Sequence, residues 1–204
     1  HVYFKKKWIK AVLVMIYVFL AFSILIAFLF PQGTIRRAMK LISNYWLGVL
    51  MYLALTILIA DLIRLILIYF VKADQKKFRT PKVFRIVGSI CMILIVSTSF
   101  YGVCNARNIR TTSYHVTIHK KAGNHKNLKI ILLADLHLGY NIGCSQMKQM
   151  VMKVNQQSPD LIVVAGDIFD NEYDALDDPD QLVKIFRQLK SQYGVYAVYG
   201  NHDI

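Results

Sequence analysis

The chain lacks what a small disulfide-stapled or zinc-bound fold needs. Its 204 residues hold three cysteines, Cys91, Cys104 and Cys144, with no C-x-x-C pair and no zinc spacing, which excludes a disulfide framework and a zinc ribbon. An odd count leaves at least one thiol free, and nothing geometric supports a Cys104–Cys144 bridge. No internal repeat or low-complexity tract occurs, which excludes a repeat array. Carboxylates are scarce in one half: residues 1–111 carry 16 Lys and Arg against Asp61 and Asp74 alone, whereas residues 112–204 carry 9 against 10 acids. The formal charge of +13 is therefore a property of the first half, where the cations flank apolar runs. No basic helix with interleaved aromatics occurs in the second half, so no nucleic-acid binding is expected.

What the first half does contain is long apolar sequence. Residues 11–30 (AVLVMIYVFLAFSILIAFLF) are twenty without a charge, enough at about 1.5 Å per residue to cross a hydrocarbon core of about 30 Å. Residues 46–70 form a second run, interrupted by Asp61 and Arg64, and residues 86–103 a third. A secretory signal accounts for one run of about 7 to 15 residues, not for three. Helices of a soluble core would need partner surface on every side. The expectation is an all-α transmembrane bundle over residues 1–104, with Tyr45, Trp46, Tyr69, Phe70 and Tyr101 near the interfaces.

Asp61 and Arg64 stand at i, i+3 inside the second run and can pair on one helix face. A pair that fixes helix register, with Arg64 reaching toward the helix end, is favoured over an ion or substrate pathway. A transporter would need more helices and a further intramembrane polar site.

Cations next to the runs give an orientation. Lys5, Lys6, Lys7 and Lys10 with Lys72, Lys76, Lys77, Arg79, Lys82 and Arg85 make ten on one side, against five (Arg36, Arg37, Lys40, Arg107 and Arg110) on the other. The positive-inside rule puts the 71–85 loop in the cytoplasm. Everything after residue 103 is then expected outside the cytoplasm, in a multi-pass protein of the cell membrane.

The second half carries three short clusters. Asp135-Leu136-His137, Gly166-Asp167-Ile168-Phe169-Asp170 and Gly200-Asn201-His202-Asp203 each follow a strand-type run: residues 128–134, 161–165 and 195–199. Asp135 to Asp167 is 32 residues and Asp167 to Asn201 is 34, each about one strand, crossover helix and strand. Helical periodicity fills the gaps, with Met147, Met150, Val151 and Val154 in the first and Leu182, Ile185, Phe186 and Leu189 in the second. The clusters are thereby expected together at the carboxyl edge of a parallel sheet, where open α/β sheets bind ligands. Asp135 and His137, two apart in an extended stretch, would project from one face onto one cation. Asp167 has two oxygens with which to bridge two ions, and Asn201 offers an amide oxygen, a set that suits Mn, Fe, Zn or a similar divalent ion. Gly166 and Gly200 permit tight turns and close backbone approach. Taken singly, each cluster is equally well an ordinary loop with a capping carboxylate; three in order are not.

These blocks, D-x-H, G-D-x-x-D and G-N-H-D, resemble the opening blocks of the calcineurin-like metallophosphoesterase superfamily, and the whole chain resembles its membrane-anchored subgroup with an N-terminal helical bundle. The resemblance covers about the last hundred residues. It implies the front half of a two-layered α/β domain with flanking helices and a dinuclear centre: Asp135 and His137 on the first metal, Asp167 bridging, Asn201 on the second, and Asp170 in support. It further implies two-metal hydrolysis of a phosphate monoester or diester, the cations neutralising phosphoryl charge and His202 serving the leaving oxygen. The bilayer and a phosphorylated small molecule or lipid-linked substrate are the implied partners. The superfamily pattern goes on to a further histidine and a G-H-x-H block, and the chain starts at His1, so the 204 residues are expected to be the front part of a longer protein. A catalytically inactive membrane sensor or scaffold that keeps the fold is the alternative.

Smaller features read as structure. Residues 105–127 are expected to form a linker and one strand at Tyr114–His119, followed by a polar turn at 120–126 that leads into the domain at 128–204. His115, His119 and His125 are surface residues, since His115 and His119 would lie roughly 13 Å apart along a strand. The acidic stretch 170–180 is a solvated loop in which Asp178 or Pro179 starts the next helix; drawing metal cations to the site is its weaker reading.

Overall fold

The computed structural model describes residues 6–31, 33–120, 123, 126–170, 175–176 and 178–203. Lys5, most of the 120–126 turn with His125, and much of the acidic stretch (171–174 and 177) lie outside the described residues. The chain divides into two compact units, His1–Ala106 and Arg107–Ile204.

The first unit is helical. Helix α1 (Lys7–Leu29) packs on α2 (Thr34–Tyr69), and α2 packs on α4 (Pro81–Ala106), with the single-turn helix α3 (Gln75–Phe78) between α2 and α4. These three long helices are long and apolar enough to cross a membrane. Most of their large apolar side chains are exposed, the pattern of helices whose outer faces meet lipid. Between α1 and α2, Tyr17 and Trp46 meet edge to face at 5.8 Å, and Lys40 Nζ lies 4.3 Å above the Phe28 ring.

The helices outrun the apolar runs that announce them. Helix α2 begins at Thr34 and has 36 residues, because Arg36, Arg37 and Lys40 are good helix formers that carry no apolar signal. Helix α4 likewise starts at Pro81, where proline's missing N–H is no loss, with the Thr80 hydroxyl accepting from the Val83 amide at 3.4 Å.

The second unit is a three-stranded parallel sheet in the order β1 (Ile130–Leu133), β2 (Leu161–Ala165), β3 (Val195–Val198). Ile131 pairs with Ile162 and Ile162 with Val195. Helix α5 (Cys144–Gln156) connects β1 to β2, and α6 (Pro179–Phe186) connects β2 to β3. Met147, Met150, Val151 and Val154 of α5, Leu182 and Ile185 of α6, and Ile162 of β2 form the buried core on one sheet face. On the other face, Ile130, Leu132 and Val198 are exposed. Asp178 caps α6 through Oδ1, which accepts from the Gln181 amide at 2.9 Å, and Pro179 follows at the first helical position.

The strand expected at Tyr114–His119 does not form. Residues 108–119 have no regular structure, and Tyr114, Val116 and Ile118 are 85%, 80% and 72% exposed. Alternation alone makes no strand without a partner edge to supply the ladder. His115 and His119 are exposed in this stretch. All three cysteines are free thiols.

Candidate metal centre

Parallel order brings the ends of β1, β2 and β3 to one sheet edge. There Asp135, His137 and Asp167 each offer one ligand atom, and these atoms all lie within 4.8 Å of one another. His137 Nε2 lies 4.0 Å from Asp135 Oδ1, with the side chains 37% and 73% exposed. Two carboxylates and an imidazole suit a divalent ion, which such groups bind at about 2.0–2.2 Å. The three residues form a group that can hold a metal.

The backbone that presents them is not extended. Asp135, His137 and Asp167 have φ of +53°, +44° and +50°, left-handed conformations that cost an L-residue about 1–2 kcal/mol each. The co-projection of Asp135 and His137 thus comes from two left-handed residues flanking Leu136, and not from strand alternation. A short parallel bridge between Leu138 and Phe169 holds this shape. In it, His137 N donates to the Asp167 carbonyl at 3.0 Å, Leu138 N to the Ile168 carbonyl at 2.9 Å, and Asp170 N to the Leu138 carbonyl at 2.8 Å. Leu138 is fully buried in the core cluster, so hydrophobic packing anchors the loop in which the strained residues lie.

The third loop closes on the second. Gly166 has φ +80°, and a Cβ there would stand 2.5 Å from the Gly200 nitrogen. A Cβ on Gly200 would overlap the Asp167 amide and carboxylate. Both glycines therefore serve the close approach that their positions suggest. His202 N donates to Asp167 Oδ1 at 3.0 Å, and the His202 and His137 rings meet edge to face at 5.1 Å. His202 thereby lies beside the three-ligand group. Asn201 is exposed in the turn between Gly200 and His202. Asp170 stands outside the group, its Cβ 3.0 Å from where a Gly139 side chain would begin.

One residue of the clusters was given no task by sequence reasoning. Asp203 Oδ1 accepts from the Ile168 amide at 2.9 Å and the Phe169 amide at 3.0 Å, while Oδ2 accepts from Gly200 at 2.9 Å. Its carboxylate thus ties the loop after β2 to the loop after β3. The Gly200 and Phe169 amides hold its carboxyl below the ordinary value of 3.8; Ile168 and Asp167 add to this, against an upward push from burial. Its place in G-N-H-D was the available signal, but a carboxylate that bonds only backbone leaves no spacing to read.

Residues 128–204 match the family model for calcineurin-like phosphoesterases, and this part of the chain is a metallophosphoesterase domain of that family. Among relatives, a bovine (Bos taurus) transmembrane protein with metallophosphoesterase domain is 34% identical over 56% of the chain and 26% of its own length. An uncharacterized metallophosphoesterase of Campylobacter jejuni is 28% identical over 100% of the chain and 55% of its own length. The UDP-2,3-diacylglucosamine pyrophosphatase LpxG of Chlamydia trachomatis is 28% identical over 47% of the chain and 28% of its own length. The chain thus spans between about a quarter and just over half of these relatives. No solved structure matches it.

Proposed function

We propose that the protein is a metal-dependent hydrolase of phosphate esters, working at a membrane surface with two divalent ions. The observation that carries this reading is the convergence of Asp135, His137 and Asp167 within 4.8 Å on left-handed backbone. Strain kept at three ligand-type side chains is a mark of a functional site.

Asp135 and His137 would hold one ion, Asp167 both, and Asn201 the second, with Asp170 steadying the loop after β2. When bound, the ions supply Lewis acidity toward the phosphoryl oxygens and a nucleophile at neutral pH. His202, its ring beside that of His137 and its amide bonded to Asp167, would give a proton to the leaving oxygen. The three membrane-type helices favour a substrate held at the bilayer, either a lipid-linked phosphate or a phosphorylated small molecule. The name of LpxG, a pyrophosphatase of UDP-2,3-diacylglucosamine, is in keeping with that class. The excess of cations in the 71–85 loop favours an orientation with this loop in the cytoplasm and the metallophosphoesterase domain outside it.

Hydrolysis of a generic aryl phosphodiester with added Mn, by the full-length protein in detergent and by its Asp167→Ala variant, tests the proposal. Turnover by the parent alone is the expected result. Equal rates would leave the inactive scaffold as the better reading.

A further inference from the structure

We propose that the loop joining α2 to α4 is a docking surface for anionic phospholipid headgroups. The inference goes beyond the hydrolase reading and does not depend on it. Residues 72–85 carry Lys72, Lys76, Lys77, Arg79, Lys82 and Arg85 against one acid, Asp74. That acid is engaged locally, since Asp74 Oδ1 accepts from the Lys76 amide at 2.9 Å and caps α3. Lys72, Lys76, Lys77, Arg79 and Lys82 are all exposed, and none has an ion-pair partner among the described residues. The nearest carboxylate along α2 is Asp61, which pairs with Arg64 at 3.1 Å.

The position of the loop selects the ligand. It joins the ends of two helices of membrane-crossing length, so its cations stand where headgroup phosphates lie. Phe70, Val71 and Phe84 are exposed beside them, and aromatic and aliphatic side chains at that level insert among acyl chains. A soluble anion satisfies the cations but leaves Phe70, Val71 and Phe84 in water; an anionic lipid satisfies both. Juxtamembrane cations gain about fivefold each from an anionic leaflet, by an attraction that fades within a Debye length.

The test places a tryptophan reporter in the loop. Phe78→Trp, with Trp8→Phe, Trp46→Phe and the same change at any tryptophan of the full-length protein outside these 204 residues, leaves one indole, at the end of α3. The protein is reconstituted in mixed vesicles in which either phosphatidylglycerol or phosphatidylcholine is brominated high in its chains, and relative quenching gives the lipid preference at the reporter. We expect a preference for phosphatidylglycerol of roughly threefold or more at low salt, falling toward unity at about 1 M salt, where the Debye length is about 3 Å. Lys76→Gln, Lys77→Gln and Arg79→Gln together should abolish it, while Lys76→Arg, Lys77→Arg and Arg79→Lys keep it with the same helical circular dichroism. Equal quenching by the two lipids, or a preference that survives the triple glutamine change, overturns the proposal.

Discussion

The backbone amide of His202 donates to Oδ1 of Asp167 across 3.0 Å, so the carboxylate proposed to bridge two ions also locates the residue proposed to protonate the leaving group. One side chain thereby couples two of the three loops. Losing it removes a ligand and unfastens a neighbour.

Asp167→Ala should accordingly be the most damaging single change at the site. Loss of a residue that merely supports a ligand weakens metal affinity about 10–100-fold, and Asp167 is proposed as a ligand as well as a support. Mn-dependent turnover of the full-length protein should fall by at least about 100-fold, and isothermal titration should register weaker Mn binding. Turnover within a few-fold of the parent would remove Asp167 from the centre.

Asp203→Asn tests the tie between the loops. The amide keeps one oxygen for Ile168 and Phe169 but turns an N–H donor toward the N–H of Gly200, which now meets Oδ2. Metal affinity should drop about 10–100-fold with the circular dichroism of the domain unchanged. The folded carboxyl titrates below 3.8. Its contribution to stability is therefore complete above that value and is lost as pH falls through the lowered one. Acid unfolding of the parent should show this loss, and the asparagine variant should lack it.

Gly166→Ala and Gly200→Ala address the backbone alone. At Gly166 a side chain meets both the left-handed φ of +80° and the Gly200 nitrogen at 2.5 Å. The conformational part alone costs about 1–2 kcal/mol. Urea unfolding followed through tyrosine emission should show at least that loss, with a larger one at Gly200, where the new methyl overlaps Asp167. An unchanged midpoint in either variant would refute the close approach of the two loops.

How far the sequence disclosed all this depended on the kind of information involved. Periodicity located α5 and α6, and even the buried quartet Met147, Met150, Val151 and Val154, because a 3.6-residue repeat on an amphipathic helix is a local property. The parallel sheet edge followed from strand and helix lengths. The expected strand at Tyr114–His119 failed because pairing is not local, and α2 began twelve residues early because polar helix formers leave no apolar trace. At the site, residue types were legible and conformation was not. Asp135 and His137 come together as read, but through left-handed φ values that the side-chain alphabet does not encode. Asp203 was hidden for a related reason: its partners are backbone amides, present at every position.

In α2, Asp61 and Arg64 pair at 3.1 Å within an apolar helix. Arg64→Leu alone leaves an unpaired carboxylate in this apolar helix, a burden of about 2.5–3.5 kcal/mol where such a helix spans a bilayer. The double change Asp61→Leu with Arg64→Leu leaves no charge there. Thermal unfolding in detergent should therefore rank the single variant below both the parent and the double. If single and double variants melt together, the pair has no structural role.

The left-handed turns at Asp135, His137 and Asp167 have a last consequence, for how the centre responds to exchange of its ions. The loops that carry them are held by the Leu138–Phe169 bridge and by the buried Leu138, contacts that use none of the three ligand atoms. Loading and stripping should then leave the course of the loops unaltered, with adjustment confined to rotamers. Exchange of one divalent ion for another should then cost little reorganisation. On this reading, metal arrival fills a shape already present and throws no switch.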